Sequence, residues 1–289
     1  MPELTLGFSP CPNDTFIFYA LVHGLVTAGG LSFRERLEDV ETLNRLVLDG
    51  ALAISKISFH LLGHVRNEYA LLRSGGALGR GCGPLVVARD LVNPSDLRGK
   101  LIAIPGRYTT ASLLLRLFNP TLDTLVIMPF HEIMGAVVRG EVDAGVIIHE
   151  SRFTYQQHGL HAILDLGAWW EQQTGQPIPL GGIVARRDLG AEILSTIENA
   201  LSQSVLFAQA HQEEARGYIR AHSQEMSDEV CDAHIKLYVN RYSVDLGKDG
   251  EAAVTTLLGR AEAAGIIPHC IRSPFISSLP VGEGGRQAG

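Results

Sequence analysis

The chain has 289 residues, 46% of them hydrophobic, and a formal charge of −7 from 24 Lys and Arg against 31 Asp and Glu. That length can bury a large core but exceeds the usual size of one compact domain, so two lobes are expected. The acidic balance, with no run of Lys or Arg, excludes a nucleic-acid partner, and no stretch approaches the roughly 18 uninterrupted apolar residues of a membrane span.

The opening Met1-Pro-Glu-Leu-Thr-Leu-Gly-Phe8 has neither the positive region nor the apolar run of a secretory signal, which predicts a cytoplasmic protein. Short aliphatic or β-branched runs follow at 4–8, 51–54, 85–88, 101–104, 125–128 and 144–148, most of them succeeded by a helical pattern. From about 189 to 265 the apolar positions recur at helical spacing, as in Ile193, Ile197, Leu201 and Val205. This alternation predicts an α/β fold in which each lobe has a central, mostly parallel sheet flanked by helices, with a helical C-terminal region. The polar turn Asn93-Pro-Ser-Asp-Leu-Arg-Gly99 reads as the crossing between lobes. The expected division is a larger discontinuous lobe, 1–92 with 185–289, a smaller inserted lobe, 93–184, and a ligand cleft between them. The Gly-rich residues 280–289 are expected to be disordered.

In open α/β sheets ligands bind beyond the carboxyl ends of strands, so the strand-to-helix junctions carry the functional expectations. The first, Ser9-Pro-Cys-Pro-Asn-Asp-Thr15, offers Asn13 or Asp14 as a helix cap and both as substrate contacts. The second, Ser55, Lys56, Ile57 and Ser58, puts a cation and two hydroxyls at a strand end, an arrangement suited to a carboxylate. At the third, Tyr108-Thr109-Thr110-Ala111 opens a helix whose free amides favour an anion. At the fourth, the buried run 144–148 ends in His149-Glu150-Ser151-Arg152, and a histidine there can act as general base or acid near neutral pH. Glu150 and Arg152 either orient that ring or pair with each other.

Other motifs fail on context. The glycines of 75–83 precede a strand, so they do not make a dinucleotide fingerprint and read as a mobile loop beside the cleft. His60 and His64 share a helical spacing, but the residue after His60 is Leu61 and not the Glu a zinc protease needs. Cys11, Cys82, Cys231 and Cys270 form no C-x-x-C pair and read as reduced thiols. Trp169 and Trp170 read as packing. The expectation is an enzyme without metal or cofactor, acting on a small carboxylated molecule; the oligomeric state is not legible.

Three stretches occurring in order, Ser9-Pro-Cys-Pro-Asn-Asp-Thr-Phe-Ile-Phe18, Glu38-Asp-Val-Glu-Thr-Leu-Asn44 and Gly145-Val-Ile-Ile-His-Glu-Ser-Arg-Phe-Thr154, resemble the 1,4-dihydroxy-6-naphthoate synthases of the futalosine route to menaquinone. Leu72-Arg-Ser-Gly-Gly-Ala-Leu-Gly-Arg80, Asp165-Leu-Gly-Ala-Trp-Trp170 and Tyr238-Val-Asn240 extend the likeness over roughly 3–275. The resemblance implies a two-lobed fold like that of type II periplasmic binding proteins. It further implies a lyase that splits cyclic de-hypoxanthine futalosine into 1,4-dihydroxy-6-naphthoate and dihydroxyacetone, with His149 as proton acceptor. Ser55, Lys56, Ile57 and Ser58, and Thr109, Thr110 and Ala111, are the segments it implies for substrate contact. The alternatives are a carboxylate-binding receptor and a chorismate dehydratase on the same scaffold.

Overall fold

A computed structural model of the chain describes residues 3–223 and 227–276, so the expectation for 280–289 lies outside the described residues. β1 (Glu3–Phe8) leads into α1 (Pro12–Val22), which Cys11 caps by accepting hydrogen bonds from the amides of Asp14 and Thr15 at its carbonyl oxygen. Pro12 fits the first helical position, where its missing N–H is no loss and its φ is already helical. The cap is therefore Cys11 and not Asn13 or Asp14, whose side chains are released for the cleft.

The chain continues through β2 (Ser32–Leu37), α2 (Val40–Leu48), β3 (Ile54–Ser58), α3 (Phe59–Val65), β4 (Tyr69–Leu71) and β5 (Ala77–Gly79). A second unit follows, made of β6 (Leu85–Ala88), β7 (Ile102–Ile104), α4 (Thr110–Phe118), β8 (Leu125–Ile127), α5 (Phe130–Arg139), β9 (Ala144–Ile147), α6 (Ser151–Thr154), β10 (His161–Asp165) and α7 (Leu166–Thr174). β11 (Ile178–Arg186) returns to the first sheet, and α8 (Ala191–Ala210), α9 (Gln212–His222), α10 (Asp228–Tyr238), α11 (Arg241–Val244) and α12 (Gly247–Ala263) complete the fold.

The first sheet runs β2-β1-β3-β11-β4, with β5 also on β11, and the second runs β10-β6-β9-β7-β8. β1 is parallel to β2 and β3, and β7 is parallel to β8 and β9. β11 is antiparallel to β3, β4 and β5, and β6 to β9 and β10. The sheets are thus mixed and not mostly parallel, because β6 and β11, the strands entered from the other unit, run against their neighbours.

Sheet membership also moves the expected boundaries. β6 belongs to the second sheet and all of β11 to the first, so the crossings fall at 80–84 and 175–177 and not at 92/93 and 184/185. The turn at 93–99 is a 3₁₀ segment, Pro94–Leu97, inside the second unit. The glycine cluster 75–83 is not a loop throughout, since it contains β5 and leads into the crossing. There Gly83 passes Gly167 so closely that an added Cβ would lie 2.3 Å from the Gly167 Cα, and only glycine fits. A polar turn and a crossing have the same composition, which is why sequence pattern misplaced them.

α1 is apolar on nearly every side because it is enclosed, its Ile17 and Phe18 sharing one core with Phe8 and Ile54 of the first sheet and Ile197, Leu201 and Val205 of α8. A second core, including Val87, Ala103, Ile133 and Ile147, lies between the second sheet and α5. A third joins the two sheets through Phe59, Val86, Leu114, Trp170, Val184 and Leu257. Trp170 is completely buried and donates its indole N–H to the Pro177 carbonyl, the packing role expected of it. No helix among the described residues is long and apolar enough to cross a membrane.

Candidate active site

The first, third and fourth junctions and β3 meet at one cleft, which encloses about 720 Å³ when its open mouth is included. Asn13, Asp14, Lys56, Ile57, Ser58, Thr109, Thr110, Ala111 and His149 all line it. Ser55 does not. The segment 55–58 is part of β3 itself and not a junction after it, and Ser55, at its inner end, is fully buried beside β1. Its hydroxyl donates to the Lys56 carbonyl and lies against Gly7, where a Cβ would meet Oγ at 2.8 Å.

Lys56 is not a free cation waiting for an anion. Its Nζ lies 2.8 Å from Oδ1 of Asp14, with both side chains buried. Asp14 also accepts from Asn13 Nδ2 and from the Ser9 amide and hydroxyl. Burial alone would raise the Asp14 carboxyl, but the Lys56 charge and these donors outweigh it and hold the group below its ordinary range. The pair is neutral as a unit, and two N–H groups of the ammonium remain for substrate oxygens.

Glu41 shows the opposite balance. Burial raises its carboxyl, against the bonds from Asn44 and from the amides of Arg107 and Tyr108. Those bonds join α2 to the loop that starts α4, with Arg107 N at 2.8 Å from Oε1. A side chain at position 106 would displace this carboxylate, since an added Cβ would sit 2.4 Å from the Glu41 Cδ. Asn44 meanwhile accepts from the Ser58 amide and donates to its hydroxyl. Glu41 and Asn44 therefore hold β3 and the α4 entrance to each other, which accounts for their place in the stretch 38–44.

At that entrance Thr109 Oγ1 accepts from the Ser112 amide, and its hydroxyl donates to the Gly106 carbonyl. The preceding amides of α4, Thr110 and Ala111, are first-turn donors with no partner inside the helix. They line the cleft with the positive end of the helix dipole behind them. Beneath this helix start His60 Nδ1 lies 3.3 Å from the Thr109 carbonyl. Burial, with the His64 charge, lowers His60 to about 3, so this neutral ring packs against His64 and Tyr108.

His149 has φ of +57°, the one non-glycine among the described residues in the left-handed region. A non-glycine residue there is uncommon, though histidine adopts it more readily than most, and such conformations concentrate at functional sites. It turns the chain between β9 and α6. Nδ1 lies 3.5 Å from the Cys11 sulfur, and the ring packs against Phe130 at 5.1 Å between centroids. Burial disfavours the charged ring, but the interaction with the Cys11 sulfur, with Glu150 and Asp14 nearby, outweighs it, and the imidazole is raised to about 9.

Donor atoms of Cys11, His149 and Glu150 lie within 4.8 Å of one another and are the residues here able to hold a metal, a sulfur, nitrogen and oxygen set that zinc accepts. Arg152 pairs with neither the ring nor Glu150. It binds the Asp165 carboxylate at 3.0 Å and the Gly83 carbonyl, tying α6 to the crossing, while Glu150 Oε2 is buried without a partner among the described residues.

Sequence reasoning missed His234. The buried stripe of α10 is Cys231, His234 and Tyr238, with Glu229, Asp232 and Lys236 exposed. The available signal was the helical spacing of Cys231, His234 and Tyr238 opposite those charges. His234 and Tyr238 both line the cleft.

A family model described as menaquinone biosynthesis matches residues 4–263. The chain is 52% identical over 276 residues to 1,4-dihydroxy-6-naphthoate synthase of Thermus thermophilus, covering 96% of this chain and all of the relative. It is 48% identical over 270 residues to the enzyme of the same name from Streptomyces coelicolor, covering 92% and 95%. Among solved structures, a structural-genomics protein from Archaeoglobus fulgidus superposes with a TM-score of 0.86 at 38% identity, covering 92% of this chain and 98% of that one. The periplasmic aliphatic sulphonate binding protein of Escherichia coli superposes with a TM-score of 0.67 at 12% identity, covering 100% and 96%, a likeness of fold alone.

Proposed function

The chain belongs to the menaquinone biosynthesis family as an enzyme of the 1,4-dihydroxy-6-naphthoate synthase type, a lyase, and from that premise we propose that it cleaves cyclic de-hypoxanthine futalosine with His149 as proton acceptor. The products are 1,4-dihydroxy-6-naphthoate and dihydroxyacetone. The observation that carries this reading is a cleft-lining histidine held on left-handed backbone in the same cavity as the first-turn amides of α4.

The substrate carboxylate is taken by the amides of Thr110 and Ala111, with the remaining Lys56 N–H groups and the Ser58 hydroxyl available to neutral oxygens. His149 removes a proton from a substrate hydroxyl. The resulting alkoxide collapses to a carbonyl as the carbon–carbon bond breaks, and the electron pair of that bond is held as an enolate. The enolate recovers the proton, so the ring of His149 ends as it began. Aromatisation supplies the driving force, and the protein positions the base, excludes water and stabilises the developing charge.

Mass spectrometry of wild type and His149→Asn incubated with cyclic de-hypoxanthine futalosine tests this. The expected result is dihydroxynaphthoate from wild type and unchanged compound from a variant whose circular dichroism matches wild type. Wild type that binds the compound and returns it intact would replace the lyase reading with a receptor.

A further inference from the structure

His234 lies on the inward face of α10 with 1% of its surface exposed, and neither of its ring nitrogens has a hydrogen-bond partner among the described residues. An imidazole always carries at least one donor, and its second nitrogen is either an acceptor or another donor. Leaving such groups buried and unpaired forfeits their hydration with nothing in exchange. A core position with that cost and no return would be better filled by Leu or Phe.

The surroundings point to where the return comes from. His234 lines the same cleft as His149, and the two rings are nearly parallel, 11° apart with centroids separated by 6.2 Å. Tyr238 and Phe153 pack at 4.6 and 6.4 Å and fix the ring without offering it a hydrogen bond. Burial, then the neighbouring His149 charge, lowers His234 to about 3, so it stays neutral when His149 is charged. Two histidines facing one cavity thereby differ in kind, His149 the one that takes up a proton and His234 the one that stays a neutral hydrogen-bonding group.

We propose that His234 is a second catalytic residue of this site, a neutral imidazole that donates its N–H to the substrate oxygen on which negative charge gathers as the carbon–carbon bond breaks. The inference rests on the lyase reading above and adds a group to it. His234 exchanges no proton in this role; a fixed donor in a site shielded from water suffices.

The test compares His234→Phe, which fills the position and removes the donor, with His234→Gln, which keeps one. With cyclic de-hypoxanthine futalosine, Phe is expected to lower kcat by about 10²–10³-fold while its thermal midpoint holds or rises, and Gln to recover at least tenfold of that loss. A structural histidine would give the reverse, activity lost only as stability is lost. The inference falls alone if wild type turns over and His234→Phe keeps kcat within about threefold. Titration of ¹⁵N-histidine-labelled protein with 1,4-dihydroxy-6-naphthoate gives a readout independent of turnover. The His234 ring nitrogens are expected to shift on binding. Binding with those resonances unmoved overturns the inference, and wild type that neither binds the naphthoate nor turns over removes the lyase reading together with it.

Discussion

The sulfur of Cys11 lies 3.5 Å from Nδ1 of His149, joining two residues 138 positions apart. This contact occupies Nδ1 and leaves Nε2 as the nitrogen for substrate. It also makes the proton on the ring expensive to remove, with the imidazole at about 9.

A proton acceptor must start neutral, so kcat/KM is expected to rise with pH through neutrality and level near pH 9. Cys11→Ala removes the partner that favours the charged ring and is expected to move that limb to lower pH. A rate profile of the two proteins from pH 6 to 10 checks both statements. Activity that falls across the same range would make His149 a proton donor, and a limb unmoved by Cys11→Ala would clear the sulfur of holding the charge.

The left-handed backbone at His149 separates folding from chemistry. Asn tolerates this conformation, so His149→Asn is expected to melt with wild type while losing about 10²–10⁴-fold in kcat. His149→Val brings a β-branched side chain to φ of +57° and is expected to cost a further 1–2 kcal/mol or so in stability, read by urea unfolding.

Lys56 and Asp14 are expected to act as one unit. Lys56→Met leaves a buried carboxylate without its cation, a loss of about 3–5 kcal/mol, whereas Lys56→Met with Asp14→Asn together recovers most of it. Because Asp14 is held below its ordinary value of 3.8, its contribution is present above that pH and lost as the pH falls through the depressed value. Acid unfolding of the double variant should therefore lack that component. Equal stabilities of the single and double variants would refute the coupling.

Glu41 is expected to set the geometry of the anion-binding amides from across the cleft. Gly106→Ala forces its carboxylate away from Arg107 N and Tyr108 N and should raise KM at least tenfold, with a smaller effect on melting. Glu41→Gln keeps an acceptor and should be milder than Glu41→Leu, which strands two amides at about 1–3 kcal/mol each. Steady-state kinetics with differential scanning calorimetry distinguishes these outcomes, and a Gly106→Ala enzyme with unaltered KM would count against the link.

Much of the site was legible because a strand ending in a polar, helix-opening segment is a local pattern. His149, Thr109, Thr110, Ala111, Asn13 and Asp14 could be chosen from their own neighbourhoods. Lys56 and Ser58 were also chosen, though for a reason that failed, since they face the cleft from within β3 and not from a junction beyond it. Ser55 was lost to the same error, since its place inside β3 buries its hydroxyl against Gly7. The boundaries between the two units were misplaced because a surface turn and a crossing use the same small and polar residues.

The sequence by itself determined the α/β class, the acidic balance without a run of Lys or Arg and the local chemistry available at each junction, since periodicity, charge and residue type are properties of short stretches. Only the tertiary structure decided which charges were already neutralised and which groups were left unpaired. Lys56 found Asp14, Arg152 found Asp165, Glu41 reached the amides of the opposite loop, and His234 entered the cleft without a partner. Each of these depends on distances between segments far apart in the chain, where electrostatic and hydrogen-bond energies fall off over a few ångströms and no local pattern records them.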